Sequence, residues 1–258
     1  MSAAPTILRQ VRFANKAFWR NPPAAFFTFA FPLLFLVIFT TLFGGSGTLQ
    51  INGHDVTVAT FYIASIVVFS VITACYTNTA MTLTFARELG ILKRIRGTPL
   101  PGWVYLTGRM LHSVAMAVLL VIICIVFGML FYDVAVPAKT LPAMLLTLAV
   151  GSASFCALGM AITTITPNAD AAPAVVNATI LPLLFVSDVF IPLQDPAPWV
   201  DLVGKIFPVR HFSDAMQHAF FPPAGSSGIK FQSLAVMAAW GLFGLLVAAK
   251  RFSWEPRK

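Results

Sequence analysis

Charged side chains are scarce in this sequence. Only 10% of its 258 residues are Asp, Glu, Lys or Arg, whereas 58% are hydrophobic. An ordinary soluble domain carries about 25% charged residues, so the composition excludes a water-soluble globule. Cysteine is scarce as well. Cys75, Cys124 and Cys156 each lie in a different uncharged stretch, which excludes a disulfide framework and predicts packing inside the protein.

Motifs for chemistry are also missing. The sequence holds no G-x-x-x-x-G-K-[ST] loop, so this chain does not bind ATP through a P-loop. No Ser–His–Asp, Cys–His or H-E-x-x-H arrangement stands out, and the uncharged stretches lack the buried charges expected of an ion-coupled carrier. We therefore predict no catalytic residue, no cofactor-binding residue and no metal ligand in this chain.

Two weaker signals have simpler interpretations. His211, Asp214 and His218 fall on one face of a possible helix, but three ligands without a fourth are better explained as a polar face. The net charge of +8 would suit a nucleic-acid partner only with aromatic residues between the basic ones. That pattern is missing, so we predict no nucleic-acid binding.

Long uncharged stretches predict membrane-spanning helices, because a hydrocarbon core of roughly 30 Å needs about 20 helical residues. The predicted fold class is therefore an all-α integral membrane protein, with residues 1–258 as a single transmembrane domain. The six predicted spans are 24–43, 58–82, 110–131, 143–165, 172–191 and 231–249. The fifth reaches this length only by including Asp188.

Basic residues are unequally divided between the two sides of these six spans. Most lie on the side of both termini, including five in the 83–109 loop. The exceptions are Lys139, Lys205, Arg210 and Lys230. The positive-inside rule then places both termini and the 83–109 loop in the cytoplasm, and we predict a multi-pass protein of the cell membrane.

Two regions outside the spans are amphipathic. Residues 6–20 place an apolar face opposite a basic one, which predicts an interface helix in the lipid headgroup region; a solvated N-terminal helix is the alternative. The segment 192–230 is too apolar for a solvated loop and is interrupted by prolines. We predict an external re-entrant region there, with short helices near 198–206 and 210–220.

The inner half of the second predicted span is polar. Residues 73–84 include Tyr76 and Asn78 among several threonines. Polar side chains at that depth bond across helices or line a passage. Bonding between helices is the favoured interpretation, and a substrate path is the alternative.

Residues 85–103, FARELGILKRIRGTPLPGW, concentrate charge between two uncharged stretches. A helix over 86–97 would be interrupted at Gly90 and ended by Thr98-Pro99. Its charges are distributed all round, which suits a polar socket in another protein better than a membrane surface. A simple topology anchor is the alternative, but it does not explain Glu88, Gly90 or the Thr-Pro stop.

The segment RELGILKRIRGTPLPGWVYLTGRML resembles the cytoplasmic loop between spans two and three of ABC-2-type transporter permeases, where E-x-G-x-L-(K/R)-x-x-x-x-(T/S)-P is typical. Residues 181–217 are similar to the closing region of that family: a Pro-led span, an F-x-P exit, a P-x-W helix and a P-x-x-(H/Y) segment. Asp188 and Gln217 depart from the family, in which a small residue and Arg are common at these positions.

The resemblance implies a permease subunit of an ABC exporter. Two six-span units, as a homodimer or a heterodimer, would each dock on a separate ATPase subunit that carries ATP and Mg²⁺, through a coupling helix at 86–97. The implied ATPase contacts are Glu88, Gly90, Leu92, Lys93, Arg94, Thr98 and Pro99. Spans two and five would line the path, which singles out Tyr76, Asn78 and Asn177.

The cargo is suggested by composition. Apolar, aromatic-rich spans with few fixed charges favour a lipophilic drug-like or lipid-like solute. Within the class, a polysaccharide or glycolipid is the alternative. From another class, the alternative is an integral membrane enzyme or a passive channel.

Overall fold

The computed structural model describes residues 3–43, 48–51, 54–134, 138–191, 197–223 and 225–255, and this part is mostly helical. Its α-helices are α1 (Ala3–Trp19), α2 (Pro22–Phe43), α3 (Val58–Ile72), α4 (Asn78–Glu88), α5 (Ile91–Arg96), α6 (Gly102–Tyr132), α7 (Leu141–Ile162), α8 (Ala172–Phe185), α9 (Pro198–Ile206), α10 (Pro208–Phe220) and α11 (Phe231–Arg251). A π-helical turn, Thr73–Thr77, joins α3 to α4, and a 3₁₀ turn, Ala138–Thr140, precedes α7.

Within the described residues, five helical segments are long and apolar enough to cross a membrane. They are Pro22–Phe43, Val58–Glu88, Gly102–Tyr132, Ala138–Ile162 and Phe231–Arg251. Each overlaps one of the predicted spans. The second runs on to Glu88 and the third begins at Gly102, so the charged loop is shorter than the sequence suggested.

The fifth predicted span, 172–191, differs. The helix found there, α8, ends at Phe185 after 14 residues, which cover about 21 Å and fall short of the roughly 30 Å hydrocarbon core. Pro182 lies inside α8, and Asp188 then adopts a left-handed conformation with φ of 54°. A left-handed residue does not continue a helix, so the chain turns where the sequence predicted a continuous span.

A short β-hairpin also departs from the all-α prediction. Strands β1 (Thr48–Ile51) and β2 (His54–Thr57) pair antiparallel, with Thr48 opposite Thr57. In the sequence, Asn-Gly at 52–53 separates them, and this dipeptide is a strong hairpin signal. The all-α prediction left this signal out.

Helix α3 is the centre of the bundle. Every residue from Phe61 to Ile72 is buried, because α2, α6, α7 and α10 surround this helix. Aromatic rings close its outer half: Phe39 of α2 stacks on Tyr62 at 5.3 Å and lies 5.7 Å from Phe190. Helix α3 has hydrophobic residues on all its sides, which is the pattern expected of a helix that other helices enclose.

Contacts between helix ends show which elements share one end of the bundle. Leu83 and Ala86 of α4, Met160 of α7 and Ala248 of α11 are buried together, so the carboxyl ends of these helices meet. Trp254 packs on the start of α6, where a Cβ at Gly102 would lie 2.5 Å from its ring. Helix α7 therefore ends, and α11 begins, at opposite ends of the bundle.

Helix α1 packs on the same end of α6. A Cβ at Gly108 would lie 2.5 Å from the Cβ of Gln10, so the glycine lets the two helices approach closely. Ala14 is buried at this contact, whereas Leu8 and Phe13 are exposed. The predicted interface helix therefore directs part of its inner face at α6.

Helix α11 lies directly against α7. A Cβ at Gly241 would be 2.9 Å from the Cα of Ser154, and one at Gly244 would be 2.9 Å from the amide nitrogen of Leu158. Small residues that let backbones touch are typical of helix pairs in membranes. The two helices form the tightest pair in the described part of the chain.

Helices α9 and α10 lie where the sequence predicted short helices, near 198–206 and 210–220. Arg210 of α10 pairs with Asp201 of α9 at 2.9 Å and with Asp188 at 3.5 Å, which fixes the turn after α8 against both helices. Val209 and Phe212 are fully buried. Helix α10 therefore packs into the protein, against α3, α7 and α11.

Candidate functional site

The charged stretch forms a hairpin of two helices. Helix α4 ends at Glu88, and α5 begins at Ile91 and is six residues long. Gly90 joins them with φ of 67°, and no atom lies within 4 Å of the position that a Cβ would take. Glycine is therefore favoured there by backbone conformation and not by lack of space. The helix predicted over 86–97 is broken at this point.

Arg87 anchors the hairpin to α7. Its side chain is 2% exposed; Nη1 donates to the carbonyl oxygen of Thr163 at 2.8 Å, and Nη2 donates to that of Thr166 at 2.6 Å. Thr163 directly follows the last residue of α7 and Thr166 lies in the turn beyond it, and the planar guanidinium fork suits two such carbonyls at once. From the sequence, Arg87 was predicted only as one basic residue of the loop.

Leu92 holds α5 from its inner side. Its side chain is fully buried with Leu83, Ala86, Tyr105 and Met160. The resemblance implied that Leu92 contacts an ATPase. The structure places its side chain in the protein's own core, so it positions α5 and offers no outer surface.

The remaining predicted contacts lie on the outside. Glu88, Lys93, Arg94, Thr98 and Pro99 are exposed, and Gly90 is half-buried. Together with Arg96, also exposed, we name these residues the α5 surface. Thr98 closes α5 by donating to the carbonyl oxygen of Ile95 at 2.6 Å. The α5 surface is thus basic, with one carboxylate at its edge.

Tyr76 lies in the π-helical turn and lines an apolar cavity of about 460 Å³ between α7, α8 and α11. We name it the α7–α11 cavity; its walls include Phe155, Ile180 and Trp240. The Tyr76 hydroxyl lies 2.6 Å from Oγ1 of Thr179 on α8. These two hydroxyls form a polar spot in an otherwise apolar wall.

The three predicted path residues do not meet. Asn78 lines a different cavity, of about 250 Å³, beside α1, α2 and α6. Asn177 is exposed on α8 and lines neither cavity. The spacing of Tyr76 and Asn78 could have indicated this, because residues two apart on a helix do not face each other.

The three candidate metal ligands on α10 are bonded separately. Nε2 of His211 lies 2.9 Å from the carbonyl oxygen of Lys205, Asp214 pairs with Lys230 at 3.2 Å, and Nε2 of His218 lies 3.4 Å from Oγ of Ser226. Burial and Lys230 lower the pKa of His218 below its usual value. The described residues contain no cluster of three metal-ligating side chains.

Known proteins share this sequence pattern. The model of the family described as "ABC-2 type transporter" matches residues 8–221. The "Putative transport permease ycf38" of Porphyra purpurea is 24% identical over 225 residues, which cover 86% of this chain and 75% of that protein. The protein of the same name from Pyropia yezoensis is 24% identical over 228 residues, with the same coverage. The matched range runs from α1 to α10, includes the α4–α5 hairpin, and shows that the chain belongs to the ABC-2 type transporter family, the membrane component of a transport system.

Proposed function

We propose that this chain is the permease subunit of an ATP-driven exporter that moves a lipophilic drug-like or lipid-like solute out of the cell. Family membership supports a transport permease. ATP hydrolysis, with its Mg²⁺, belongs in this proposal to a separate nucleotide-binding subunit. The observation that carries it is the α5 surface: exposed charges on a short helix whose opposite side is fixed in the bundle.

The contacts of the α4–α5 hairpin can transmit a displacement to the membrane-spanning helices. Arg87 ties the hairpin to the turn that follows α7 through two hydrogen bonds. Leu92 contacts the buried group that contains Met160 of α7 and Ala248 of α11. A partner that binds the α5 surface and changes conformation would therefore displace α7 and α11 directly.

In the proposed orientation, α1, α5 and the end of α11 lie on the cytoplasmic side of the cell membrane. The excess of basic residues at this end supports it. The proposal includes six membrane crossings. Five are the candidate spans, and α8 with the turn after it forms the additional one, which is the fifth in chain order. The exposed Asn177 face of α8 would meet a second permease subunit, identical or homologous.

The α7–α11 cavity is the proposed site for a lipophilic cargo. Its walls are almost entirely apolar, and the hydroxyls of Tyr76 and Thr179 supply one polar contact. Pockets that bind small apolar ligands commonly combine such walls with a few polar groups. The cavity is open between membrane-spanning helices, which suits a solute that enters from the lipid.

Co-purification tests the proposal. The tagged chain is extracted in mild detergent, and we expect an ABC ATPase to be retained with it and to hydrolyse ATP. Glu88→Lys reverses the carboxylate of the α5 surface. Losing one partner of a buried charge pair at an interface typically costs about 2–5 kcal/mol, so the affinity for the ATPase should fall roughly 30-fold to several thousandfold.

Asp170→Lys is the matched control, because Asp170 is exposed in the turn between α7 and α8 and lies outside the α5 surface. It should retain the ATPase as the wild type does. Transport of a fluorescent lipophilic dye into inverted vesicles provides the second measurement. Normal retention and transport in Glu88→Lys would reduce the α5 surface to a topology anchor.

A further inference from the structure

The chain bends between α1 and α2, and two cavities lie side by side at this elbow. The first, of about 250 Å³, lies between α1, α2, α4 and α6, and its polar lining residues include Asn21, Asn78, Arg109 and His112; we name it the elbow cavity. The second, of about 470 Å³, is lined by Trp19, Phe26, Phe29 and Leu33; we name it the elbow groove.

The two spaces share a wall. Phe18 of α1 lines the elbow cavity, and its ring centroid lies 5.9 Å from that of His112 and 6.0 Å from that of Phe29 in the elbow groove. Trp19, the next residue, stacks on Phe29 at 5.6 Å. A polar cavity thus adjoins an apolar groove across one aromatic ring.

The elbow cavity is rich in hydrogen-bond donors and contains no carboxylate among the described residues. Arg109 is the only charged residue among those that line it. Neither its guanidinium nor the amide of Asn78 forms a hydrogen bond or ion pair with another described residue. Unengaged donors around a single positive charge favour an anion.

His112 supplies an independent sign of a ligand. Its side chain is 5% exposed, and its Nδ1 has no hydrogen-bond partner among the described residues. A buried polar atom without a partner costs about 1–3 kcal/mol, so such atoms are rare unless something else satisfies them. Because His112 lines the elbow cavity, a bound anion can satisfy it.

We infer that the elbow binds one anionic phospholipid, with its phosphate held in the elbow cavity by Arg109, His112 and Asn78 and an acyl chain lying in the elbow groove. The position suits a lipid, because α1 is amphipathic and α2 is a candidate span. A free phosphate would use only the polar half. The lipid would hold α1 against α2 and α6, and it is distinct from any cargo in the α7–α11 cavity.

Native mass spectrometry of the purified full-length chain, with any co-purified subunit, tests the site directly. We expect one phosphatidylglycerol molecule to bind at least tenfold more tightly than phosphatidylcholine. Glycerol 3-phosphate, which has the charged head without the chains, should not displace it at equal concentration. Equal binding of the two lipids would refute the anion site, and displacement by glycerol 3-phosphate would assign the cavity to a soluble phosphate.

Two variants locate the site. Arg109→Gln should weaken phosphatidylglycerol binding about tenfold or more, whereas Arg20→Gln, which removes an exposed charge that lines neither space, should not. Ala30→Trp fills the elbow groove and leaves the elbow cavity intact. It should therefore weaken phosphatidylglycerol binding, and it tests the site even if Arg109→Gln fails to fold. Equal losses in Arg109→Gln and Arg20→Gln would mean that only surface charge attracts the lipid.

Fluorescence gives a local signal. Trp19 is 50% exposed and lines the elbow groove, so a phosphatidylglycerol with brominated chains should quench it on binding. The quenched fraction of the total emission should disappear in Trp19→Phe. Quenching that is unchanged in Trp19→Phe would place the chain elsewhere and overturn the proposed groove.

Discussion

Arg87 of α4 donates to the backbone carbonyl of Thr163 at 2.8 Å, at the point where α7 ends. This bond lies behind the α5 surface and belongs to the packing of one subunit. It makes the charged hairpin part of the bundle. Among the basic residues of the loop, Arg87 is therefore buried and holds the hairpin in place, whereas Lys93, Arg94 and Arg96 are exposed on the α5 surface.

Arg87→Lys should destabilise the protein even though it preserves the charge. Lysine has no planar fork, so we expect it to satisfy one of the two carbonyls that Arg87 reaches. Hydrogen bonds to charged groups contribute about 1.5–3 kcal/mol each, and the loss should lower the midpoint of thermal denaturation in detergent. Arg94→Lys, on the exposed side of α5, should match the wild type. An unchanged midpoint in Arg87→Lys would mean that the anchor is unimportant.

Gly90→Ala should loosen the hairpin. A left-handed conformation costs a residue with a Cβ about 1–2 kcal/mol, which is roughly a 5- to 30-fold change in the opening equilibrium. Limited trypsin cleavage after Lys93 and Arg94 measures that opening. Gly97→Ala is the control, since a Cβ there meets the nearest oxygen at an ordinary 3.4 Å. Equal cleavage rates in the two variants would contradict a conformational role for Gly90.

Tyr76→Leu should change cargo-stimulated ATP hydrolysis without lowering the amount of folded protein, if the α7–α11 cavity holds the cargo. Tyr132→Leu, which removes a tyrosine that bonds Thr40 outside the α7–α11 cavity, should leave that stimulation unchanged. A double-mutant cycle with Tyr76→Phe and Thr179→Val should give a coupling of about 0.5–1.5 kcal/mol. If every Tyr76 variant merely reduces folded protein, this hydroxyl pair only joins the π-helical turn to α8.

Cysteine labelling should sort the two ends of the bundle. With Cys75, Cys124 and Cys156 replaced, Gly97→Cys should be protected from an impermeant thiol reagent in intact cells, and Ser227→Cys should be labelled. Both positions are exposed in the structure, so in cells without the proposed ATPase, which would cover Gly97, access depends on the compartment. Labelling of Gly97→Cys from outside would reverse the orientation and remove the ATPase from its proposed place.

The sequence predicted the membrane-spanning part of the fold well for a physical reason. Charge is excluded from a hydrocarbon core, so uncharged stretches mark long spans even when their packing is unknown. The failure at 172–191 has an equally physical cause: hydropathy measures how apolar a stretch is and not where its backbone turns. Helix α8 contains Pro182 and ends at Phe185, and Asp188 takes a left-handed conformation, although the stretch around this one charge is apolar.

The candidate site was only partly predictable. The exposed charges of the α5 surface could be recognised because burying several like charges together is costly, so a run of basic residues predicts exposure. The burial of Arg87 and Leu92 could not be recognised, because it depends on the direction α5 takes after Gly90. The elbow cavity has no signal in the sequence, since its polar residues come together only when α1, α2, α4 and α6 pack.

The contact between α7 and α11 has a mechanical consequence. Where Gly241 and Gly244 lie against α7, backbone meets backbone, so at these two positions no side chain separates the helices that could change rotamer and absorb a shift. We expect the two helices to move together at this contact, so that a displacement applied near Met160 and Ala248 is passed along both of them. Compliance on this side of the protein then has to come from α8, which Pro182 and the turn at Asp188 already interrupt.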